Sequence, residues 1–213
     1  MRELIVGRPA LLVIDMQHDF VDSDAGCYAP GVEEIIPNVA RMIEAARKAD
    51  IPIIYTQEAH RLGRVDSGRE LDPGTGASYP GGGSESPVPE HCVEGTRGIE
   101  IIPELTPAPR DVRIQKRRYS CFLGTDLELL LHLLDIETLL VTGVDSNVCV
   151  LWTVGEAFQR DYHVRVIEDC IAGASPEEHE AAVMIMRALT TGDQQITSAD
   201  VIAALERHLV AVS

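Results

Sequence analysis

Short apolar runs alternate with amphipathic helical segments along almost the whole of this 213-residue chain. The first run, ALLVID at residues 10–15, has the length and the continuous apolar character of a strand that is buried on both faces. The segment 35–50 repeats its apolar residues at helical spacing. Strand, helix and strand in this order favour parallel strands with helices on both sides of the sheet. The sequence therefore predicts a three-layer, Rossmann-like α/β fold.

The predicted sheet has six mainly parallel strands in a single domain, residues 1–213. We expect strands at 10–15, 51–57, 111–116, 137–143, 163–169 and 194–197, and helices at 35–50, 125–135, 147–161, 175–189 and 198–209. Residues 58–110 interrupt the alternation because they are rich in glycine, serine and proline and show little periodicity. A segment of that length inside a compact domain indicates a functional loop or lid.

Charge and cysteine usage exclude several classes of protein. A net charge of −16 and a pI near 4.7 argue against nucleic-acid binding. No apolar run reaches the length of a membrane span, and the first residues lack the order of a signal peptide. The five cysteines are odd in number and form no CxxC pair, so neither a disulfide framework nor a zinc ribbon is expected. We expect a cytoplasmic protein with reduced thiols.

Three reactive residues follow predicted strands. Asp15 ends the first strand, Lys116 ends another, and Cys149 follows a third through the turn TGVDSNVCV at residues 142–150. The carboxyl ends of parallel strands share one edge of the sheet, where ligands bind. A carboxylate can accept the thiol proton, and a nearby ammonium favours the thiolate. The sharp turn before the cysteine is expected to leave backbone N–H groups facing an attacked carbonyl, as in an oxyanion hole.

The motifs around these residues resemble those of the isochorismatase-like cysteine hydrolases. LLVIDMQHDF resembles the aspartate motif of that family, KRRYSCF at 116–122 its lysine motif, and TGVDSNVCV its cysteine motif. The resemblance covers nearly the whole chain and implies a triad of Asp15, Lys116 and Cys149. It also implies a cis peptide between Val144 and Asp145, with the N–H groups of Asp145 and Cys149 as the oxyanion hole. Ser146 stands where the family usually has threonine.

The presence of Cys149 favours amidase chemistry within this family. Members that cleave the vinyl ether of isochorismate lack the nucleophile. The resemblance therefore implies a hydrolase that cleaves the C–N bond of a small amide, ureide or lactam through a thioester, with Asp15 first protonating the leaving nitrogen and then activating water. It implies no organic cofactor, no membrane partner and a homo-oligomer, either a dimer or a tetramer. We expect substrate contacts from Phe20, Glu58, His60 and Tyr119.

Two branches of the family compete for the substrate. TQEAHR at 56–61 and EHCVEGTRG at 90–98 resemble the metal-binding regions of nicotinamidases, which would make Glu58, His60 and His91 the ligands. However, Glu58 replaces the usual aspartate, and Val88 replaces a tryptophan. We therefore expect no metal, and a metal-assisted nicotinamidase stays as the alternative.

Other segments resemble the biuret, ureidoacrylate and N-carbamoyl-amine hydrolases. Leu189 stands where the biuret enzyme has a substrate-clamping glutamine. Arg61, Arg64 and Arg69 could orient a carboxylate or a urea oxygen, although such loop arginines are often solvated. Two further alternatives are a thiol redox protein that pairs Cys149 with Cys121 and a catalytically silent binding protein on the same fold.

Overall fold

The structure, a computed structural model, describes residues 3–62, 66, 91–192 and 194–212. Its centre is one sheet in the order β3-β2-β1-β4-β5, and every neighbouring pair of strands is parallel. The strands are β1 (Arg8–Ile14), β2 (Ile53–Glu58), β3 (Val112–Lys116), β4 (Ile136–Gly143) and β5 (His163–Ile171). The predicted parallel α/β fold is confirmed.

Helices cover both faces of the sheet. They are α1 (His18–Val21), α2 (Val32–Lys48), α3 (Leu127–Leu133), α4 (Leu151–Gln159), α5 (Pro176–Thr190) and α6 (Ser198–Val212), with short 3₁₀ turns at Arg97–Ile99 and Pro103–Leu105. Side chains of β1 alternate between the two layers. Leu11 and Val13 pack in the core cluster with α2 and α6, whereas Leu12 and Ile14 pack in the cluster with α3, α4 and α5. This two-sided burial explains the continuous apolar runs of the sequence.

The predicted sixth strand at 194–197 is wrong for the part of the chain that the structure describes. Ile196 accepts one backbone hydrogen bond, from the Glu168 N–H in β5, at 2.9 Å. The residues after it are committed to the start of α6 instead. The Thr197 hydroxyl donates to Asp200 at 2.6 Å, and Asp169 accepts both the N–H and the hydroxyl of Ser198. A segment held by these capping bonds does not extend the ladder, so the sheet has five strands.

The helix boundaries follow local capping chemistry. Ser175 precedes α5, and its hydroxyl oxygen accepts the Glu178 N–H at 3.2 Å, with Pro176 at the first helical position. The Thr125 hydroxyl oxygen, which precedes α3, accepts the N–H of Leu127, the first residue of that helix, at 3.2 Å. Among the helices of the described residues, none combines the length and the apolarity that a membrane crossing requires.

Only the two ends of the segment 58–110 can be described. The His60 N–H donates to the Cys92 carbonyl at 2.6 Å, and the Glu94 N–H donates to the His60 carbonyl at 2.9 Å. The segment therefore leaves β2 and returns beside it. Residues 63–65 and 67–90, which hold most of the predicted loop, lie outside the described residues.

Candidate active site

Three neighbouring strands end in ionisable side chains. Asp15 directly follows β1, Glu58 is the last residue of β2 and Lys116 is the last residue of β3. Parallel pairing sets Glu58 opposite Lys116 in register. All three side chains are buried, and Lys116 has no exposed surface at all. The strand ends therefore meet as predicted at one edge of the sheet, and they bring together three charged groups where the sequence indicated two.

The Lys116 ammonium is the centre of the site. Its Nζ lies 2.7 Å from Asp15 Oδ2, contacts Glu58 Oε2, and lies 3.3 Å from Cys149 Sγ. It also donates to the Arg118 carbonyl at 3.1 Å. Asp15, Lys116 and Cys149, which stand far apart in the sequence, thus surround one cation. We refer to Asp15, Glu58 and Lys116 as the charged cluster.

Two uncharged side chains hold the carboxylates in place. The Thr56 hydroxyl donates to Asp15 Oδ1 at 2.7 Å and accepts the Asp15 N–H at 3.3 Å. Gln17 makes a paired contact with the backbone of Glu58, accepting its N–H at 2.8 Å and donating to its carbonyl at 2.9 Å. Sequence reasoning missed both residues. Their only signal was a polar side chain inside a short motif that was otherwise apolar or charged.

Backbone shape delivers the nucleophile. Strand β4 ends at Gly143 with φ +109°, and the Val144–Asp145 peptide bond is cis. A Cβ on Gly143 would lie 2.0 Å from the Ile14 carbonyl oxygen, so only glycine fits this close approach to β1. A π-helical turn, Ser146–Val150, follows and leads into α4. We call residues 143–150 the cysteine turn.

Three backbone hydrogen bonds of the cysteine turn start at residues beside the donors predicted for the oxyanion hole. The N–H groups of Val148 and Val150 both donate to the Asp145 carbonyl, and the Ser146 N–H donates to the Ala172 carbonyl at 2.7 Å. The N–H groups of Asp145 and Cys149 take no part in these three bonds. The Ser146 hydroxyl lies 3.0 Å from His179 Nδ1, which ties the turn to α5.

Burial and charge set the resting protonation of the site. Burial raises the pKa of the Cys149 thiol well above its usual range; the Lys116 ammonium lowers it by less, and Asp15 and Glu58 add to the increase. Burial lowers the pKa of Lys116, but Asp15, Cys149 and Glu58 outweigh burial, so its pKa is raised. The resting site therefore contains a neutral thiol beside an ammonium.

Asp145 differs from the carboxylates of the charged cluster. Burial, with a smaller contribution from Asp15, raises the pKa of its carboxyl to about 8. Asp145 is therefore largely neutral at pH 7 and adds little negative charge beside the thiol. The reactive oxygen atoms of Asp15 and Glu58 and the Cys149 sulfur lie within 4.8 Å of one another. A proton leaving the thiol has a carboxylate acceptor in that space.

The residues predicted to contact substrate fall into two groups. Glu58 contacts Lys116, and His60 Nε2 lies 3.3 Å from Glu58 Oε1, so both belong to the surroundings of the triad. Phe20 is completely buried in the core cluster on the α2 side of the sheet, and Tyr119 is half-buried between the two clusters. Of the predicted loop arginines, Arg61 is exposed and pairs with Asp66 at 3.2 Å. Arg64, Arg69 and Val88 lie outside the described residues.

The three residues of the alternative metal site do not form a converging set of ligand atoms in the described structure. Glu58 Oε2 is already in contact with the Lys116 ammonium. The rings of His60 and His91 meet edge to face with centroids 5.5 Å apart. Within the described ranges, the three-residue groups whose ligand atoms converge do not include Glu58, His60 and His91. The converging group is Asp15, Glu58 and Cys149, and Lys116 contacts all three of its members.

The remaining cysteines behave as packing residues. All five thiols of the chain are free and buried. Cys121, the predicted resolving partner of the redox alternative, donates to the Thr56 hydroxyl at 3.8 Å. Burial raises its pKa to about 12, so it is protonated and a weak nucleophile at neutral pH.

Comparisons with known proteins agree with this geometry. The family model described as the isochorismatase domain matches residues 9–200. A probable inactive nicotinamidase of Arabidopsis thaliana is 35% identical over 84% of this chain and 87% of its own length. A ureidoacrylate amidohydrolase of Caulobacter vibrioides is 30% identical over 82% of this chain and 81% of its own length. The crystal structure of an isochorismatase-like hydrolase from Alkaliphilus metalliredigens matches with a TM-score of 0.79 and 35% identity, covering 92% of this chain and 98% of that one.

Proposed function

Because the chain belongs to the isochorismatase family, we propose that it is a cysteine-dependent amidohydrolase that cleaves the C–N bond of a small amide or ureide. One observation carries the proposal: a single buried ammonium, on Lys116, lies 2.7 Å from the Asp15 carboxylate and 3.3 Å from the Cys149 sulfur. A nucleophile, a base and a cation in mutual contact are the parts that covalent acyl transfer requires.

In the first half of the reaction, Asp15 accepts the Cys149 proton as the sulfur attacks the carbonyl carbon. The Lys116 ammonium stabilises the negative charge as it moves from carboxylate to sulfur. The new oxyanion accepts hydrogen bonds from the N–H groups of Asp145 and Cys149. When the tetrahedral intermediate collapses, Asp15 returns the proton to the leaving nitrogen, the C–N bond breaks and ammonia or an amine departs.

In the second half, water hydrolyses the thioester. Asp15, ionised again, takes a proton from water as the oxygen attacks the same carbonyl carbon. The C–S bond breaks, the proton returns to sulfur and the acid leaves. No step needs an organic cofactor, and no step passes through a metal.

The two buried carboxylates of the cluster have different tasks. Asp15 lies beside the sulfur and is held by Thr56, so it is oriented for proton transfer. Glu58 also contacts the Lys116 ammonium, and it is held through its backbone by Gln17. Glu58 therefore acts as a positioning residue that keeps the ammonium charged and in place. His60, whose pKa is lowered to about 4 by burial and by His91, is a neutral neighbour of Glu58.

Within this class we favour a ureide, a substrate with an N–C(=O)–NH₂ group. The relative from Caulobacter vibrioides is named a ureidoacrylate amidohydrolase. Glu58 and Val88 stand where the nicotinamidase motif has an aspartate and a tryptophan, which argues against that branch. A ureide carbonyl is a poor electrophile, so the attacking thiolate and the oxyanion donors must both be well placed.

The two alternative activities require different features of the site. A metal-assisted nicotinamidase needs a divalent ion at Glu58, His60 and His91. A thiol redox protein needs a disulfide between Cys149 and Cys121. Its reaction would not use the contact between Asp15 and Lys116. We also propose a cytoplasmic location, which the five free thiols support.

Ammonia release by the purified full-length protein tests the proposal. The panel contains ureidoacrylate, N-carbamoyl amino acids, biuret, nicotinamide and simple lactams, the last monitored by amine appearance. We expect turnover of a ureide that survives a chelator and falls by at least about 10³-fold in Cys149→Ala. Cys170→Ala, which removes another buried thiol on β5, is the matched control and keeps its activity.

Mass spectrometry of the intact protein during turnover adds a second readout. An acyl group on Cys149 supports the thioester route. Turnover of nicotinamide that is lost in chelator would instead support the metal-assisted alternative. A Cys121–Cys149 disulfide formed under mild oxidation, with no hydrolysis across the panel, would support the redox alternative. Silence without any such disulfide would favour a silent binding protein, in line with the inactive name of the Arabidopsis relative.

A further inference from the structure

A chain of uncharged hydrogen bonds connects the base and the nucleophile by a route that does not pass through the ammonium. The Thr56 hydroxyl, which donates to Asp15 Oδ1, also lies 3.8 Å from Cys121 Sγ. The Cys121 N–H donates to the Thr153 hydroxyl oxygen at 3.0 Å, and the same hydroxyl donates to the Cys149 carbonyl at 2.6 Å. Thr56, Cys121 and Thr153 have no exposed surface. We call these three residues the uncharged bridge.

Thr153 makes an unusual pair of bonds within this bridge. A threonine hydroxyl in a helix commonly donates to the carbonyl four residues earlier, and Thr190 in α5 does so to Met186 at 2.8 Å. Thr190 is half-buried, and this bond stays within its own helix. The Thr153 hydroxyl also accepts a backbone N–H from a segment 32 residues earlier in the chain. Because a hydroxyl can donate one hydrogen bond and accept others, this single group joins two segments.

The segment joined to Thr153 is the one that holds the ammonium. Lys116 Nζ donates to the Arg118 carbonyl at 3.1 Å, and Cys121 lies three residues further along. Thr153 therefore links the segment that holds Lys116 Nζ to the turn that carries the Cys149 sulfur. That sulfur and Nζ lie 3.3 Å apart. A shift of either segment changes this distance directly.

Loss of the Thr153 hydroxyl should cause such a shift. The Cys121 N–H belongs to a completely buried residue and would be left without its acceptor. A buried donor without a partner is unfavourable, so the backbone should move to find another. A displacement of about 1 Å between reacting groups can lower a reaction rate by about 10²-fold. The hydroxyl is thus placed where a small change has a large effect on turnover.

We propose that Thr153 is a positioning residue that holds the Cys149 sulfur beside the Lys116 ammonium by joining the cysteine turn to the lysine motif. Its expected effect on turnover rests on the proposed amidohydrolase function. Its expected effect on the thiol does not depend on any substrate. Because the ammonium favours the thiolate, a sulfur that moves away from it becomes less reactive.

Thr153→Val in the full-length protein tests this role, because it removes the hydroxyl at nearly constant side-chain volume. For the ureide that the wild type hydrolyses, we expect kcat to fall by at least about tenfold and KM to change by less than about threefold. Alkylation of Cys149 by iodoacetamide at pH 7, measured by peptide mass spectrometry, should slow by about threefold or more. The pH profile of alkylation should move to higher pH. Thr153→Ser keeps the hydroxyl and should restore both rates to within about threefold of the wild type.

Thr190→Val is the matched control, because it removes the equivalent hydroxyl bond in α5. It should leave kcat and the alkylation rate unchanged. Circular dichroism and thermal unfolding measure the folded fraction of every variant, and Thr153→Ala takes the place of Thr153→Val if the valine variant does not fold. A merely structural role for Thr153 would lower thermal stability without moving the pH profile of alkylation.

The outcomes separate this proposal from the proposed function. If kcat and the alkylation profile of Thr153→Val overlay those of the wild type, Thr153 does not position the nucleophile. The same conclusion follows if Thr153→Ser loses as much as Thr153→Val. A shifted alkylation profile that serine restores, in a protein that hydrolyses no member of the panel, would support the positioning role and contradict the amidohydrolase proposal.

Discussion

The charged cluster and the cysteine turn lie side by side, yet different forces hold them. Asp15, Glu58 and Lys116 are buried and held mainly by one another, through contacts of opposite charge. The turn that carries Cys149 is held by backbone hydrogen bonds and by the close approach of Gly143 to Ile14. The first region depends on the balance of charge and the second on the shape of the main chain.

The contrast extends to how each region accommodates a carboxyl group. The carboxylates of Asp15 and Glu58 are buried beside an ammonium, which compensates the loss of water. Asp145 of the cysteine turn has no such ion pair in the described structure, and its carboxyl becomes neutral instead. The site therefore buries Asp15 and Glu58 beside a cation and buries Asp145 as a neutral carboxyl. Mutations should distinguish these two arrangements.

Lys116→Met should have the largest effect. It leaves two carboxylates buried without their cation, which costs about 3–5 kcal/mol of the free energy of unfolding. Turnover should fall by at least about 10³-fold, because the thiol loses its cation. Urea unfolding and ammonia release measure the two effects. Lys48→Met removes an exposed lysine paired with Glu44 and should leave stability almost unchanged. Equal stability losses in the two variants would contradict the balance of charge described for the cluster.

Asp145→Asn should change the pH dependence of the free energy of unfolding, because Asp145 is a neutral buried carboxyl without an ion pair in the described structure. The folded pKa of Asp145 is raised from 3.8 to about 8, so the folded state keeps a proton that the unfolded state releases. The wild type therefore loses stability through this group as pH rises from about 4 to 8, whereas the variant does not. The variant should gain on the wild type progressively across that range, by roughly 5 kcal/mol at pH 8, because each pKa unit corresponds to about 1.4 kcal/mol.

Thermal unfolding at intervals between pH 5 and pH 8 measures this difference for both proteins. Asp126→Asn, at the start of α3 away from the site, is the control and should run parallel to the wild type. A constant difference between Asp145→Asn and the wild type at every pH would mean that Asp145 is ionised in the folded protein.

Gly143→Ala should damage the cysteine turn through shape alone. The new Cβ would lie 2.0 Å from the Ile14 carbonyl oxygen at a backbone φ of +109°, so β1 and the turn must move apart. We expect a loss of about 2–3 kcal/mol in the free energy of unfolding and a lower kcat. Gly124→Ala is the matched control, because Gly124 also has a positive φ of +73° but nothing lies within 4 Å of its added Cβ. It isolates the cost of backbone conformation, about 1 kcal/mol.

The sequence predicts those parts of the molecule that depend on local residue patterns. Residue type and strand position placed Asp15, Lys116 and Cys149 at one edge of the sheet, because the carboxyl ends of parallel strands coincide. Strong apolar runs likewise predicted five strands and their covering helices. The weak run at 194–197 failed because its polar neighbours could either extend a ladder or cap a helix, and Asp169 and Asp200 favour the cap.

Contacts that depend on distant packing could not be predicted in this way. Glu58 was expected to meet substrate, and nothing in its own segment indicates that it pairs with Lys116, 58 residues later. Thr56 holds Asp15 across 41 residues for the same reason. The resemblance of the motif TGVDSNVCV to its family predicted the cysteine turn. The close approach of Gly143 to Ile14 arises only when β1 and β4 pair. Local patterns predict elements and edges, whereas the partners of a buried charge come from the folded sheet.

Glu58→Gln should give the smallest effect and test whether the charged cluster acts as a unit. Glu58 is one of the groups that raise the pKa of the Cys149 thiol, so removal of its charge should lower that pKa. Alkylation of Cys149 by iodoacetamide at pH 7 should therefore become faster, by about threefold to tenfold, while kcat falls by about tenfold because the ammonium is held less firmly. A merely structural role for Glu58 would slow turnover without shifting the pH profile of alkylation. Glu94→Gln, which removes an acid paired with Arg117 near the surface, should leave both rates unchanged. If the alkylation profile of Glu58→Gln overlays that of the wild type, Glu58 does not share the charge of Lys116, and the cluster reduces to the ion pair of Asp15 with Lys116.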